Sequence, residues 1–137
     1  IIGSLIYASK KGVKVRIVLP GIPDKKLINY VAKTYYKELI KENIEIYEYK
    51  DGFTHLKMML KDGTEAIVGT VNLDYRSLYL HFEDAILMYK TKAIIKMNED
   101  YHDMIEKSHL VSLEECKNYS KVKLLIGQIL RIFGPLL

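Results

Sequence analysis

The spacing of apolar and polar positions predicts a chain that passes repeatedly between helix and strand. Ser4–Lys11 has helical periodicity and stops at Gly12, a residue suited to the turn that follows a helix. Val13–Pro20 then reads as a strand. Val13, Val15, Ile17 and Leu19 share one face, and Val18 makes the other partly apolar, as expected of a central strand. Asp24 stands where a helix N-cap would. Beyond it, Leu27, Val31, Tyr35 and Leu39 form one row at four-residue spacing, and Ile28, Ala32, Tyr36 and Ile40 form another. Together they make one apolar stripe with lysines opposite, which Asn43 ends. Ile44–Tyr49 is a short strand pattern. Thr54–Gly69 predicts a hairpin turning at Asp62-Gly63, with Leu56, Met58 and Leu60 towards the core and His55, Lys57 and Met59 on the opposite face. Tyr79–Tyr89 reads as another strand. Lys92–Glu106 reads as a helix built on Ile94, Ile95, Met97, Tyr101, Met104 and Ile105. Ser120–Leu137 is an amphipathic stretch interrupted by Gly127 and ended by Gly134-Pro135. This alternation predicts α/β layers. With no repeat, low-complexity tract or linker, residues 1–137 form a single domain.

Composition agrees with a folded domain: 137 residues, 49% hydrophobic and 28% charged. The formal net charge of +4 suits anionic partners, phospholipid head groups or nucleic acid, without choosing between them. Acidic residues are interspersed among the lysines, so a mixed solvated surface accounts for the charge equally well. Cys116 is the only cysteine, which excludes an internal disulfide, argues against a cysteine-based metal site, and suggests a reducing, cytosol-facing setting. No apolar run reaches the length of a membrane span, and no signal peptide is visible. The opening IIGSLIYASKKG resembles the inside of a helix, so the expectation is a soluble, N-terminally truncated piece of a longer protein whose own membrane anchor would lie elsewhere.

The candidate chemistry begins at His55 and Lys57, two apart on a strand and so on one face. An imidazole there can attack phosphorus or carry a proton near neutral pH, while an ammonium holds a non-bridging oxygen. Taken alone, the pair is better explained as solvated residues on an exposed strand. The longer string changes this. His55-x-Lys57-x-x-x-x-Asp62 is followed by Gly69-Thr70-x-Asn72 and then by Asp74, Arg76 and Ser77. Gly69 and Thr70 would let the backbone pass close to a ligand, and Thr70 and Asn72 offer a hydroxyl and an amide to phosphate oxygens or to the His55 and Lys57 side chains. Asp62 falls in the Asp-Gly turn, where turn geometry alone favours it.

This string resembles the signature of the phospholipase D superfamily. The resemblance narrows to the C-terminal halves of bacterial cardiolipin synthases through Val13–Pro20, Tyr35-Tyr36, His55–Asp62, Asn72–Ser77, Phe82-Glu83 and Pro135–Leu137, covering essentially the whole chain. It implies an α/β half-domain with a mixed sheet flanked by helices. It also implies His55, Lys57, Asn72 and Glu83 as catalytic residues, with Lys57, Thr70 and Asn72 against phosphate. Glu83 would fix the tautomer of a catalytic histidine, while Asp62, Gly69, Asp74, Arg76 and Ser77 would be structural.

The implied reaction is phosphatidyl transfer between two phosphatidylglycerol molecules through a phosphohistidine, without cofactor or metal, at the bacterial cytoplasmic membrane. The alternative is another phosphodiesterase of the superfamily, a phospholipase or a dimeric nuclease; nucleic acid is not the favoured partner. Two departures stand out: His81 replaces an Asn and Leu78 a Phe. His102 and His109 receive no catalytic role. The family needs two such motifs and this chain has one, so it is expected to be inactive until it pairs with the N-terminal half or with a second copy. The tail from Lys121 is expected to pack on its own domain, with the membrane or the partner half as the alternative contact.

Overall fold

The computed structural model describes residues 1–134. In chain order it contains α1 (Ile2–Lys10), β1 (Arg16–Pro20), α2 (Lys26–Lys41), β2 (Glu45–Tyr49), β3 (Met58–Lys61), β4 (Glu65–Gly69) and α3 (Tyr75–Tyr79). These are followed by β5 (Ala85–Tyr89), α4 (Lys92–Glu106), β6 (Ser108–Leu110), α5 (Leu113–Lys117) and α6 (Lys121–Ile132). The strands form two three-stranded sheets, β1-β2-β6 and β3-β4-β5. The first is mixed: β1 runs parallel to β2, with α2 as the crossover between them, and β6 is antiparallel. The second is an antiparallel meander. An α/β fold with sheet flanked by helices is thus what the chain adopts.

The core lies against the first sheet. Tyr36 and Leu39 of α2 pack on Ile44, Ile46, Val111 and Cys116, and Ile2, Leu5 and Ile6 of α1 close over them. Ile46 on β2 is completely buried. The expectation of a central strand at Val13–Pro20 is corrected: among the described residues β1 has one neighbour and the middle position belongs to β2. Two apolar faces report cover above and below a strand, not hydrogen-bonded neighbours on both sides. Pro20 at the end of an edge strand is also well placed, having no amide to donate.

Asp24 is not the cap of α2. That position is Lys25, which makes no side-chain capping bond, and Asp24 lies one residue outside it. Of the predicted stripe, Val31, Ala32, Tyr35, Tyr36, Leu39 and Ile40 are buried or half-buried, whereas Leu27 and Ile28 in the first turn are exposed; the helix ends at Glu42, with Asn43 at φ +59°.

Gly127 does not interrupt the C-terminal helix. It lies inside continuous α6, is buried, and marks where α6 crosses α2. A Cβ there would sit 2.4 Å from the Tyr30 carbonyl oxygen and 2.7 Å from Thr34 Cγ2. Glycine is what lets the helix axes approach, at the expense of helix propensity. Gly127→Ala is therefore expected to destabilise the chain by about 1–2 kcal/mol, overpacking of about 1–3 kcal/mol being partly offset by alanine's better propensity. The urea midpoint measures this; an unchanged midpoint would mean that α6 can move off α2 without loss. Pro135–Leu137, part of the family resemblance, lies outside the described residues.

Candidate active site

The β3-β4-β5 meander brings separated parts of the motif together. In an antiparallel meander the start of the first strand, the end of the second and the start of the third lie at one end of the sheet. Here those ends carry His55 and Lys57 before β3, Gly69, Thr70 and Asn72 at and after the end of β4, and Glu83 before β5. The Gly69 amide donates to the Lys57 carbonyl at 3.2 Å, and the Thr70 amide to the Asp84 carbonyl at 2.9 Å, fixing the three segments side by side. Asp62 sits at the other end of the hairpin. Asp62 and Gly63 have φ of +50° and +64°, and the Thr64 amide closes the turn on the Lys61 carbonyl at 3.1 Å. Positive φ at both turn residues suits Asp-Gly, and places Asp62 in the turn itself.

Two expectations for the hairpin need correction. His55 and Lys57 precede β3 instead of lying within it, since strand pairing starts at Met58. Leu56 is 53% exposed and contributes nothing to the core; the in–out alternation begins only where the ladder does. The His55 ring is exposed and stacks on Phe53, with centroids 5.9 Å apart. The Lys57 ammonium donates to the His55 carbonyl at 2.9 Å, so the two motif residues remain adjacent although neither is within the strand.

Glu83 is the anchor of the Asn-bearing loop. Its carboxylate accepts from the Thr70 hydroxyl, and the Asp84 amide donates back to Thr70 Oγ1 at 3.1 Å. His81 Nδ1 lies 3.7 Å from Glu83 Oε1. On its other side His81 Nε2 faces Arg76, with Nε at 3.2 Å and Nη2 at 3.0 Å. A guanidinium only donates, so Nε2 is the acceptor and the neutral ring carries its hydrogen on Nδ1, towards Glu83. The remaining loop residues brace one another. Asp74 caps α3 by accepting from the Ser77 amide at 2.8 Å, Ser77 is buried, and Asn72 Nδ2 donates to Ser77 Oγ at 3.4 Å. Arg76 braces the loop through His81, and among the described residues it has no carboxylate partner. Because His81 departs from the family pattern, its place in this network is invisible to motif reading, and the signal that could have found it is its spacing of two from Glu83 and five from Arg76.

Gly69 acts differently from its sequence-based role. What comes close to it is the neighbouring strand at Asp84 and Ala85, not open space for a ligand. His55, Thr70, Asn72 and His81 are all exposed; cavities of about 250 and 290 Å³ lie elsewhere, around Lys33, Asn118 and Tyr119 beside α2. Among the described residues no group of three or more His, Cys, Asp or Glu side chains forms a metal-ligand set.

The Thr70 hydroxyl, then that of Ser77, holds the Glu83 carboxyl below the usual glutamate range, with His81 adding to the effect. A lowered carboxylate pKa means the contribution to stability is present above the ordinary glutamate value and is lost only as pH falls through the depressed one. Thr70→Val removes the main donor, so the Glu83 titration followed by carboxyl-carbon NMR is expected to move up towards the ordinary value. An unmoved titration would show that Thr70 is not what holds the carboxylate.

Comparison with known proteins decides the family. The model of the cardiolipin synthase, phospholipase D-like domain matches residues 1–105. The chain belongs to that family. An uncharacterized protein of Streptococcus mutans is 40% identical over 134 residues, covering 98% of this chain and 29% of that protein. A cardiolipin synthase 2 of Bacillus anthracis is 33% identical over 137 residues, covering all of this chain and 27% of the relative. This phospholipase D-like chain thus spans less than a third of the length of these relatives. Its fold is that of Nuc, a phospholipase D family member from Salmonella typhimurium, with a TM-score of 0.69 at 19% identity over 80% of this chain and 72% of that one.

Proposed function

We propose that this chain is one motif-bearing half of a bacterial phosphatidyltransferase that converts two phosphatidylglycerol molecules into cardiolipin and glycerol at the cytoplasmic membrane. Its main support is the convergence of His55 and Lys57 with Gly69, Thr70 and Asn72 on one end of a sheet, in a chain of the cardiolipin synthase family. One histidine of a pair attacks phosphorus and the P–O bond to glycerol breaks, leaving a phosphatidyl-histidine. The second histidine protonates the departing glycerol oxygen, then takes the proton from a hydroxyl of the next phosphatidylglycerol. That oxygen attacks phosphorus and the P–N bond breaks, freeing the first imidazole. His55 is one of the two. Lys57 and Asn72 bind non-bridging oxygens, with Thr70 beside them, and Glu83 orients a histidine as Thr70 and His81 hold it in place. Lys57 supplies positive charge where charge accumulates on phosphorus.

A second motif is needed, and the surface is suited to receiving one. Met59, Ile67 and Leu87 stand directly across from one another on β3, β4 and β5, and all are exposed. Tyr89 continues this apolar row, and Phe82, beside Glu83, is fully exposed. Lys61 and Glu65 edge the row as a 2.9 Å ion pair, so its rim carries both signs, as protein interfaces do. The other half of the protein, or a second copy of this one, covers this face.

The test is product analysis with phosphatidylglycerol vesicles. The two-motif protein should yield cardiolipin and glycerol, and the 137-residue chain alone should yield neither. Phosphatidic acid as the main product would replace the transferase with a phospholipase. DNA cleavage by a dimer of the single chain, with no lipid turnover, would replace it with a nuclease.

A further inference from the structure

His81 stands between two groups of opposite charge. Arg76, on α3, presents Nε at 3.2 Å and Nη2 at 3.0 Å to its Nε2, and Glu83, ahead of β5, has Oε1 3.7 Å from its Nδ1. Among the described residues no other charged side chain bonds or pairs with the ring. The backbone keeps the first two together. The Arg76 carbonyl accepts from the Leu80 amide at 2.9 Å and from the His81 amide at 2.8 Å, which ends α3 with residue 81 folded back on residue 76. The His81 side chain is 44% exposed, so protons reach it from solvent.

The two contacts answer oppositely to a proton. In the neutral ring Nε2 accepts from the guanidinium, while 3.7 Å is too long for Nδ1 to bond Glu83 directly. An imidazole is the side chain that changes charge near neutral pH. Protonation puts a hydrogen on Nε2, where it meets N–H groups that cannot accept it, and sets two cations within 3.2 Å of one another. The Arg76 contact must part. The Glu83 contact must tighten, because imidazolium and carboxylate attract and form the shorter, charge-assisted kind of bond. Glu83 is an anion throughout this range: the Thr70 hydroxyl, then that of Ser77, holds its carboxyl below the usual glutamate range.

We propose that His81 is a proton-controlled positioning residue, held by Arg76 when neutral and transferred to Glu83 when protonated. Thr70 bonds Glu83 Oε2, so the imidazolium takes Oε1. The consequence for turnover rests on the proposed function, in which Glu83 orients a catalytic histidine. A protonated His81 competes for that carboxylate, and the loop that carries Asn72 loses its Arg76 brace at the same step. Acid then lowers activity through a residue that touches neither phosphorus nor the leaving group. With Asn at this position, as in the family pattern, the site has no such control.

Ring-nitrogen NMR of the 137-residue chain tests the exchange without turnover. Free histidine prefers its hydrogen on Nε2, so an Nδ1–H signature at alkaline pH is the mark of the Arg76 bond. As pH falls through the His81 titration, the Arg76 Nε–H and Glu83 carboxyl-carbon resonances should shift with the same midpoint. In His81→Asn both should lose that step; circular dichroism checks the fold of the variant, and the parent titration decides alone if that fold is lost. An Nε2–H ring at alkaline pH overturns the proposal, as do Arg76 and Glu83 resonances indifferent to the His81 titration. In the two-motif protein, His81→Asn should raise the ratio of cardiolipin formation at about pH 6 to that at about pH 8 by about twofold or more. An unchanged ratio overturns the control of turnover. If that protein makes no cardiolipin, the proposed function falls, and the resonance titration still decides the exchange.

Discussion

His55→Ala in the two-motif protein is expected to lower cardiolipin formation by about a thousandfold or more, because neither role open to this imidazole can be filled by a methyl group. The same substitution should leave the fold nearly untouched. The ring is exposed, its described side-chain contact is the stack on Phe53, and the Lys57 ammonium bonds to the His55 backbone carbonyl, which alanine retains. Unfolding free energy should stay within about 0.5 kcal/mol of the parent, as for surface substitutions away from structural features. Glycerol release and denaturant unfolding, measured on the same preparation, separate the two effects. Activity within tenfold of the parent would remove His55 from the chemistry, whereas lost activity with a large fall in stability would make its role structural.

Gly69→Ala is expected to cost about 3 kcal/mol and to disable the site through its scaffold. The added Cβ would lie 2.1 Å from the Asp84 carbonyl oxygen, 2.7 Å from Ala85 Cα and 3.0 Å from Ala85 Cβ. The nearest two are main-chain atoms, so no rotamer change relieves the clash and β4 must part from β5. That separation breaks the Thr70 amide bond to Asp84 and the return bond from Asp84 to Thr70 Oγ1, and with them the seat of Glu83. Space, not conformation, is the reason for glycine here, because Gly69 lacks the positive φ seen at Gly12, Gly52 and Gly63. Gly63→Ala is the control. Its Cβ would approach only Asn98 Nδ2, at 3.8 Å, so its cost is the left-handed backbone, about 1–2 kcal/mol. Chemical denaturation ranks the two; equal costs would show that the β4–β5 approach is looser than these distances indicate.

Periodicity and motif spacing by themselves determined the helix at Lys92–Glu106, the apolar stripe of α2 from Val31 to Ile40, the Asp62-Gly63 turn and the string from His55 to Ser77. Each of these is written locally, in residues a few positions apart whose side chains share a face or whose backbone needs a particular φ. Tertiary structure decided what depends on residues distant in sequence. It placed β1 at the edge of its sheet among the described residues, because the number of strand neighbours leaves no mark on a strand's own pattern. It kept α6 continuous through Gly127, because what the glycine accommodates is the Tyr30 backbone of another helix. It assigned His81 to a network with Arg76 and Glu83, and it brought His55, Asn72 and Glu83 to one end of a sheet. That convergence arises from strand pairing across the meander, a property no single segment possesses.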